Sequence, residues 1–224
     1  MLTKINIPNI YIIGPQSTGK TTLVHKLQDD LQHWAEPKKP HIISEVARTV
    51  LTKHNYSAHD IQTSPTRCLE LQQLILEAQA IAEKDALETS RWFISDRSGI
   101  DPLVYAKRYA SLQGIQDLQK LPVWAEIKER MEHSLIVVCE AGTPWLTNDG
   151  VRLMPDSNDE WMGVFHDFCT LLDQLGLNYS ALPRTMLYLS KRADFIWGLW
   201  EVAHLPEEMK VITGGRIEIE NSVN

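Results

Sequence analysis

The chain has 224 residues, a length that suits one sizeable α/β core better than two domains. Its formal net charge of −7 argues against an extended polynucleotide-binding surface, which is normally basic, but leaves a mononucleotide site possible. No apolar run approaches the roughly 20 residues that cross a bilayer, the first residues lack the apolar stretch of a secretory signal, and the three cysteines form no C-x-x-C pair. We therefore expect a cytoplasmic protein without a zinc site or disulfide framework.

The first predicted elements are a buried strand and a helix joined by a glycine-rich loop. Ile10–Ile13 is a run of β-branched and aromatic residues, and the apolar positions of residues 21–31 follow a helical spacing. Between them, residues 14–21 match the pattern G-x-x-x-x-G-K-T. A strand, this loop and a helix N-terminus, in that order, form the context that a phosphate-binding loop requires. The segment therefore predicts a nucleotide site.

The residues of this loop have roles that follow from their chemistry. Gly14 and Gly19 allow backbone N–H groups to turn toward a phosphate, and the helix N-terminus adds positive potential. Lys20 is expected to reach the β- and γ-phosphates of ATP, and the Thr21 hydroxyl is expected to ligate Mg²⁺. Further contacts with the nucleotide are predicted for Gln16, Ser17, Thr18 and Thr22.

A second short strand is predicted at residues 41–44, after a loop at residues 36–40 that contains two prolines. Glu45 follows this strand at once. In a small-molecule kinase, a carboxylate at this point can accept or orient the proton of the acceptor hydroxyl. Arg48 lies three residues further on and can hold a polar group of the substrate. The alternative is that Glu45 is an acid at a helix N-terminus that pairs with Arg48.

A long helical stretch is predicted at residues 58–89, with Pro65 either in its first turn or at the end of an earlier short helix. Three glutamines, Gln72, Gln73 and Gln79, lie on this stretch. An amide here can recognise the edge of a base in a nucleoside site. The more common alternative is that such residues belong to a solvated helix face.

A third strand is predicted at residues 91–96, and it ends in an acid. Asp96 at this position can hold the hydration shell of Mg²⁺, and Arg97 can bind a phosphate or carboxylate through two hydrogen bonds. The alternative for Asp96 and Arg97 is an N-cap with a surface ion pair. Helices are predicted at residues 102–110 and 124–133, with Asp101 as the N-cap of the first.

A fourth strand is predicted at residues 135–139, followed by a polar segment with two prolines and two glycines at about residues 141–160. This composition predicts a lid. Arg152 in the lid can stabilise charge on the transferring phosphoryl group when the lid closes. A solvated loop arginine is the alternative. Trp145, also in the lid, can stack on a substrate.

The last predicted elements are a helix at residues 161–175 that ends at Gly176, a fifth strand at residues 178–182 and a helix at residues 185–203. Arg184 lies just before the last predicted helix and Arg192 lies in its first half, and each can contact a base or phosphate. We assign Arg184 to the nucleotide site, because it follows the fifth strand. Residues 210–220 alternate around two glycines and predict a small hairpin within a C-terminal extension at residues 206–224.

The alternation of strands and helices predicts a parallel sheet with helices on both faces, in one domain at residues 1–205. Ligands of such sheets bind beyond the carboxyl ends of the strands. The phosphate loop, Glu45 and Asp96 all fall at such ends. We therefore expect them to meet in one site.

Several segments together resemble a known family. They are residues 14–21, 44–48, 96–98, 101–103 and 149–152. Their combination resembles the AAA-domain P-loop family related to the nicotinamide riboside kinase domain of the bacterial NAD-metabolism protein, and more distantly the nucleoside and thymidylate kinases. The resemblance implies a three-layer sandwich around a five-stranded parallel sheet in the order 2-3-1-4-5. It also implies that Asp96 lies near the metal, Glu45 faces the substrate and Arg152 lies on the lid.

The main functional hypothesis is a kinase that uses ATP and Mg²⁺ to phosphorylate a hydroxyl of a nucleoside-like substrate. Its catalytic residues would be Lys20, Glu45, Asp96, Arg97 and Arg152, with Arg48 and Arg97 also contacting the substrate. A second hypothesis is a nucleotide-binding switch or scaffold with slow hydrolysis and a protein or lipid partner. A third is a phosphotransferase that acts on a specialised metabolite.

Overall fold

Five parallel strands form one sheet in the order β2-β3-β1-β4-β5, in a computed structural model that describes residues 7–32, 39–145 and 157–203. In chain order, the strands are β1 (Ile10–Ile13), β2 (His41–Ile43), β3 (Phe93–Asp96), β4 (Leu135–Cys139) and β5 (Ser180–Leu182). The predicted fold class and strand order are confirmed.

Helices connect the strands. They are α1 (Lys20–Asp30), α2 (Val46–Lys53), α3 (Ala58–Thr63), α4 (Pro65–Thr89), α5 (Ile100–Tyr109), α6 (Leu112–Gln119), α7 (Pro122–Glu132), α8 (Asn158–Leu175) and α9 (Leu189–Ala203). None of these helices is both long and apolar enough to cross a membrane.

The central strand β1 shows why the sheet is covered on both faces. Its four side chains are all fully buried. Tyr11 and Ile13 pack into a core with α4, α5, α7 and α8, whereas Ile10 and Ile12 pack into a second core with α1 and α9. Because successive side chains of a strand point to opposite faces, an all-apolar strand requires a helical layer on each side.

The long helical stretch is divided at Ser64. The Ser64 side chain accepts a hydrogen bond from the backbone N–H of Arg67, and Pro65 occupies the first position of α4. Proline suits that position because the first N–H of a helix has no partner within the helix. Pro65 therefore lies in the first turn of α4 and also directly follows an earlier short helix, α3, so both predicted roles are confirmed.

Two short helices, α2 and α6, were not predicted, and most element ends differ from the prediction by a few residues. Residues 158–160, which the sequence assigns to the lid, already belong to α8, because Ser157 caps this helix by accepting from the N–H of Glu160. The rest of the lid at residues 146–156, including Arg152, lies outside the described residues. So does the C-terminal hairpin.

The carboxyl ends of β1, β2 and β3 lie side by side, since β3 pairs with both of its neighbours in parallel. The phosphate loop leaves β1, Glu45 follows β2, and Asp96 ends β3. The fold therefore brings the predicted residues to one edge of the sheet.

Candidate functional site

The loop at residues 14–21 has a backbone conformation that requires glycine at two positions. Gly14 has a φ of 123°, and a Cβ placed there would lie 2.7 Å from the carbonyl oxygen of Cys139. Gly19 has a φ of 80° and is the N-cap of α1. Ser17 also has a positive φ, of 56°. These conformations wrap the loop around the N-terminus of α1, as expected for an anion site.

Lys20 is buried in this loop and holds it closed. Its Nζ donates hydrogen bonds to the carbonyl oxygens of Gly14 at 2.8 Å and Pro15 at 2.5 Å. Burial and the charge of Arg97 lower the pKa of Lys20 to about 8, against the opposing effect of Asp96. A nearby anion would favour the charged ammonium, so the lysine suits a phosphate.

Thr21 and Asp96 meet where a metal would be expected. The Thr21 hydroxyl donates to Oδ2 of Asp96 at 2.5 Å. The other carboxylate oxygen, Oδ1, is buried and has no hydrogen-bond partner within the described residues. A buried carboxylate oxygen without a partner beside a hydroxyl fits Mg²⁺, which prefers hard oxygen ligands.

These two ligands would share the ion with phosphate oxygens. In the parts of the chain that the structure describes, no group of three or more His, Cys, Asp or Glu side chains could hold a metal. Mg²⁺ is commonly held by one or two carboxylates together with substrate phosphates. The donor set here is therefore that of a site completed by a nucleotide.

Arg97 is fixed between two acids. Its Nε donates to Oε1 of Glu45 at 2.7 Å, and its Nη1 donates to Oδ1 of Asp101 at 2.9 Å. Its backbone has a φ of 90°, and its N–H donates to the carbonyl of Ile12. This residue is therefore held in a strained turn directly after β3, a feature that clusters at functional sites.

Glu45 contacts two arginines. Oε1 accepts from Arg97, and Oε2 accepts from Nε of Arg48 at 2.7 Å. Burial would raise the pKa of Glu45, but the charge of Arg97, the hydrogen bond from Arg48 and the charge of Lys20 outweigh it and lower the pKa to about 2. Glu45 thus pairs with Arg48 at the start of α2, as the alternative interpretation expected, and also faces Arg97.

Asp101 was predicted as an N-cap, and this was wrong. The N-cap of α5 is Gly99, and Asp101 lies in the first turn of the helix, 4% exposed. Its Oδ2 accepts from the N–H of Ser98 at 2.9 Å, while its Oδ1 pairs with Arg97. The acid is drawn inward because it neutralises the buried guanidinium. The spacing of Arg97 and Asp101, four residues apart across a strand-to-helix turn, was the available signal.

Three cavities surround these residues. The phosphate-loop cavity is lined by Ser17, Gly19, Lys20, Thr21, Thr22, Glu45, Asp96 and Arg97. The α4 cleft shares Glu45 and Arg97 with this cavity, and its other lining residues come mainly from α2, α4 and α5. The Trp145 cavity is lined by Ser17, Gly19, Thr22, Trp145, Leu187, Leu189 and Arg192. The phosphate-loop cavity thus shares lining residues with each of the other two.

The predicted loop residues divide between these cavities. Thr22 and Ser17 line both the phosphate-loop and the Trp145 cavities. Thr18 is buried, and its hydroxyl donates to the carbonyl of Pro15. Gln16 lines the α4 cleft instead, where its Oε1 accepts from the Tyr105 hydroxyl at 3.1 Å.

The two C-terminal arginines have different surroundings. Arg192 is 3% exposed, donates from Nη2 to the carbonyl of Thr18 at 2.8 Å and lies with its guanidinium 5.5 Å from the centre of the Trp145 ring. Arg184 lines none of the three cavities; its backbone N–H and side chain contact Glu140, and its Nη1 contacts Met162. A nucleotide contact by Arg184 remains a prediction.

The glutamines of α4 are not equivalent. Gln73 is exposed and donates to Glu77, as expected of a solvated face. Gln72 and Gln79 are buried and line the α4 cleft, so the solvated interpretation was wrong for these two. Their spacing of seven residues puts them on the same face of the helix, but the sequence does not show which face is covered.

The comparisons with known proteins agree with this fold. A family model described as an AAA domain matches residues 9–187 of the chain. Structures of the NadR protein in complex with NR, and with NAD and AMP-PNP, give TM-scores of 0.66 and 0.65 at 22% and 20% identity. Each covers 90% of this chain, which spans about half of those chains, 53% and 51%.

Two shorter kinases match over nearly their whole length. Deoxyadenosine kinase from M. mycoides with bound dATP has a TM-score of 0.58 at 13% identity and covers 87% of this chain and 99% of that chain. Thymidylate kinase from Candida albicans has a TM-score of 0.57 at 14% identity and covers 91% and 96%. At these identities the similarity shows a common fold. Among curated proteins, no sequence matches the chain.

Proposed function

The chain belongs to the AAA-domain P-loop family, and on this basis we propose that it is a kinase that uses ATP and Mg²⁺ to phosphorylate a hydroxyl of a nucleoside-like small molecule. One observation carries this proposal. The phosphate-loop cavity and the α4 cleft share Glu45 and Arg97. A molecule in the cleft would thus meet the terminal phosphate of a nucleotide in the loop, as phosphoryl transfer requires.

The nucleotide side of the reaction is supported by the loop and its neighbours. The backbone N–H groups of residues 14–21 and the N-terminus of α1 would hold the phosphates, and Lys20 would turn from the carbonyls of Gly14 and Pro15 toward them. Thr21 and Asp96 would hold Mg²⁺. When bound, this ion neutralises charge on the β- and γ-phosphates.

The acceptor side depends on Glu45 and Arg97. A carboxylate whose pKa is about 2 stays ionised and is a weak base, so Glu45 would orient the acceptor hydroxyl and take its proton late in the transfer. Glu45 and Asp101 hold the Nε and Nη1 of Arg97, and neither of these two hydrogen bonds uses Nη2. It would stabilise the charge of the transferring group.

The Trp145 cavity would hold the base of the nucleotide. It combines an aromatic ring, two leucines and the buried cation of Arg192, next to the loop residues Ser17 and Thr22. Apolar walls with a few polar groups are typical of sites for flat ligands. Contacts from Arg152 with the phosphoryl group and from Arg184 with the nucleotide complete the proposal.

The second candidate is a nucleotide-binding switch or scaffold that hydrolyses slowly. One observation favours it: both oxygens of Glu45 accept hydrogen bonds from arginines, so both are engaged by the protein itself. A switch needs no carboxylate that faces a second substrate. The two candidates therefore differ in whether the cleft takes part in the consumption of ATP.

The test is the release of ADP from ATP, with and without a pool of nucleosides and other hydroxylated metabolites. A kinase releases ADP at a rate that rises at least tenfold when its acceptor is present. Lys20→Ala should abolish this release, whereas Lys26→Ala, which changes a partly buried lysine of α1 that pairs with Asp30, should not. Tight ATP binding with the same slow release in both conditions would favour the switch.

A further inference from the structure

A buried polar network lies beneath the α4 cleft. The side-chain nitrogen of Gln79, 1% exposed, donates to Oε1 of Glu83 at 2.9 Å and to Oγ of Ser95 at 3.1 Å. Glu83 is fully buried, and its Oε2 accepts from the hydroxyl of Tyr11 at 3.0 Å and from Nε of Arg130 at 2.8 Å. The network connects the sheet, α4 and α7.

This network fixes which way the Gln79 amide faces. A primary amide has two N–H groups, and Glu83 and Ser95 take both. The reverse orientation would put the carbonyl oxygen of Gln79 against the carboxylate of Glu83, which already accepts hydrogen bonds from Tyr11 and Arg130. An acceptor against an acceptor in the protein interior is costly. The amide is therefore held in one orientation.

The remaining polar atom of Gln79 is its carbonyl oxygen. The hydrogen bonds that the Gln79 side chain makes with Glu83 and Ser95 both use its nitrogen and leave Oε1 out, and Gln79 lines the α4 cleft together with Glu45 and Arg97. We propose that Gln79 is a specificity-determining residue: with both amide protons held by Glu83 and Ser95, it offers only a hydrogen-bond acceptor to the cleft and selects a ligand that carries an N–H or NH₂ donor.

The inference rests on the proposed function, because it supposes that the phosphate acceptor occupies this cleft. Most of the exposed surface of the other walls is apolar, with Val46, Leu71 and Ile75 among the lining residues, and the buried amide of Gln72 is one of the polar groups there. The substrate class is therefore a hydroxylated molecule with an apolar body and one donor at its far end, such as a nucleoside with an amino, imide or carboxamide group. A carboxylate or a methylated nitrogen at that point should bind about 10- to 100-fold more weakly.

The first test measures the amide itself, without any ligand. In protein labelled with ¹⁵N-glutamine, both side-chain protons of Gln79 should exchange with water more slowly than those of Gln73, which is exposed and donates only to Glu77. The variant Ser95→Ala removes one acceptor and should release one of the two protons. Free exchange of one proton in the wild type, or no change in Ser95→Ala, would overturn the proposal.

The second test measures ligand selection by calorimetry with three matched pairs. They are adenosine and N6,N6-dimethyladenosine, uridine and 3-methyluridine, and nicotinamide riboside and nicotinic acid riboside. In at least one pair, the member with the donor should bind at least about tenfold more tightly. This preference should vanish in Gln79→Leu and persist in Gln73→Leu.

The outcomes separate the two proposals. If no donor-bearing member binds better than its partner, whether through equal binding or no binding, the role of Gln79 is overturned. ADP release that depends on an acceptor but does not discriminate within pairs would leave the proposed kinase function intact. Discrimination in binding without any transfer of phosphate would support the role of Gln79 and contradict the proposed kinase function.

Discussion

Glu45 is the residue on which the proposed chemistry depends most. It lies between Arg97 and Arg48, and its pKa of about 2 keeps it ionised at every pH at which the protein would be assayed. An ionised carboxylate can hold a hydroxyl proton, but it removes that proton only as the oxygen attacks. The activity should therefore show no acid limb from Glu45 between pH 5 and 7.

Glu45→Gln tests this role. The amide keeps the size of the side chain but cannot take a proton, so kcat should fall about 10²-fold or more while the KM for ATP changes little. The matched control is Glu88→Gln, an exposed acid of α4, which should leave both constants unchanged. A Glu45→Gln enzyme with normal kcat would remove Glu45 from the mechanism.

Lys20 should make ATP binding depend on pH. Its pKa is about 8 in the free protein, against an ordinary value of 10.5, because burial and Arg97 disfavour the charged form. Since the folded pKa lies below the unfolded one, the free energy of unfolding should rise with pH between these two values. A bound triphosphate favours the ammonium, so the affinity for ATP should fall above pH 8, by up to about tenfold per unit.

Calorimetry at pH 8.5 in two buffers with different heats of ionisation measures this coupling. Wild-type protein should take up a proton when ATP binds. Lys20→Arg should bind without proton uptake, because arginine stays charged. Binding by the wild type that releases the same heat in both buffers would contradict the proposed position of Lys20 beside the phosphates.

For single residues, the sequence predicts those roles that depend on the position of a residue relative to a strand along the chain. The loop residues, Glu45 and Asp96 are predictable because each lies at or just beyond the carboxyl end of a recognisable strand. The pairing of Asp101 with Arg97, the inward face of Gln79 and the packing of Arg192 against Thr18 are not. These contacts depend on which face of each helix packs on the sheet. In the sequence, a residue that points inward and one that points to solvent have the same local pattern.

Among the elements, the turn between β1 and α1 depends most on a single residue. At Gly14, a side chain would require a left-handed backbone and would lie 2.7 Å from the carbonyl oxygen of Cys139 in β4. Gly14→Ala should lower the free energy of unfolding by about 1–3 kcal/mol or more. Gly198 in α9 has open space around its Cβ position, so Gly198→Ala should raise it by about 0.5–1 kcal/mol. Urea unfolding measures both, and a Gly14→Ala variant as stable as the wild type would contradict the loop geometry.

Helix α9 is joined to the phosphate loop by one buried side chain. Arg192→Met would leave the carbonyl of Thr18 without its donor and remove the cation beside Trp145. The expected loss is about 1–3 kcal/mol in unfolding free energy, with weaker ATP binding. Lys191→Met, at an exposed neighbouring position, should stay within about 0.5 kcal/mol. Equal ATP affinity in the two variants would show that Arg192 of α9 does not contribute to nucleotide binding.

The sequence predicts the elements unevenly. The strands are predicted well because an apolar run that ends at a polar residue is typical of a buried parallel strand. Helices α2 and α6 have eight residues each, too few for a clear periodic pattern, and they are held by packing rather than by propensity. The sequence does not decide whether residues 58–89 form one helix or two, because Pro65 suits both a first turn and a break.

For the molecule as a whole, the strand order followed from a family resemblance and not from spacing. The order β2-β3-β1-β4-β5 places β1 at the centre, with both of its neighbours arriving from later in the chain. Hydrophobic pattern alone does not choose among the orders that parallel strands can adopt. The motif in residues 14–21 restricts that choice, since this loop needs β1 inside the sheet with room beyond its end.

The most direct measurement of the proposed function is the mass of the acceptor. Protein with ATP labelled with ¹⁸O in the γ-phosphate is incubated with pooled nucleosides and hydroxylated metabolites, and the pool is analysed by mass spectrometry. We expect one compound class to gain a labelled phosphate in the wild type and not in Lys20→Ala or Glu45→Gln. Label found only in inorganic phosphate, at the same slow rate with or without the pool, would contradict the assignment of the α4 cleft to an acceptor.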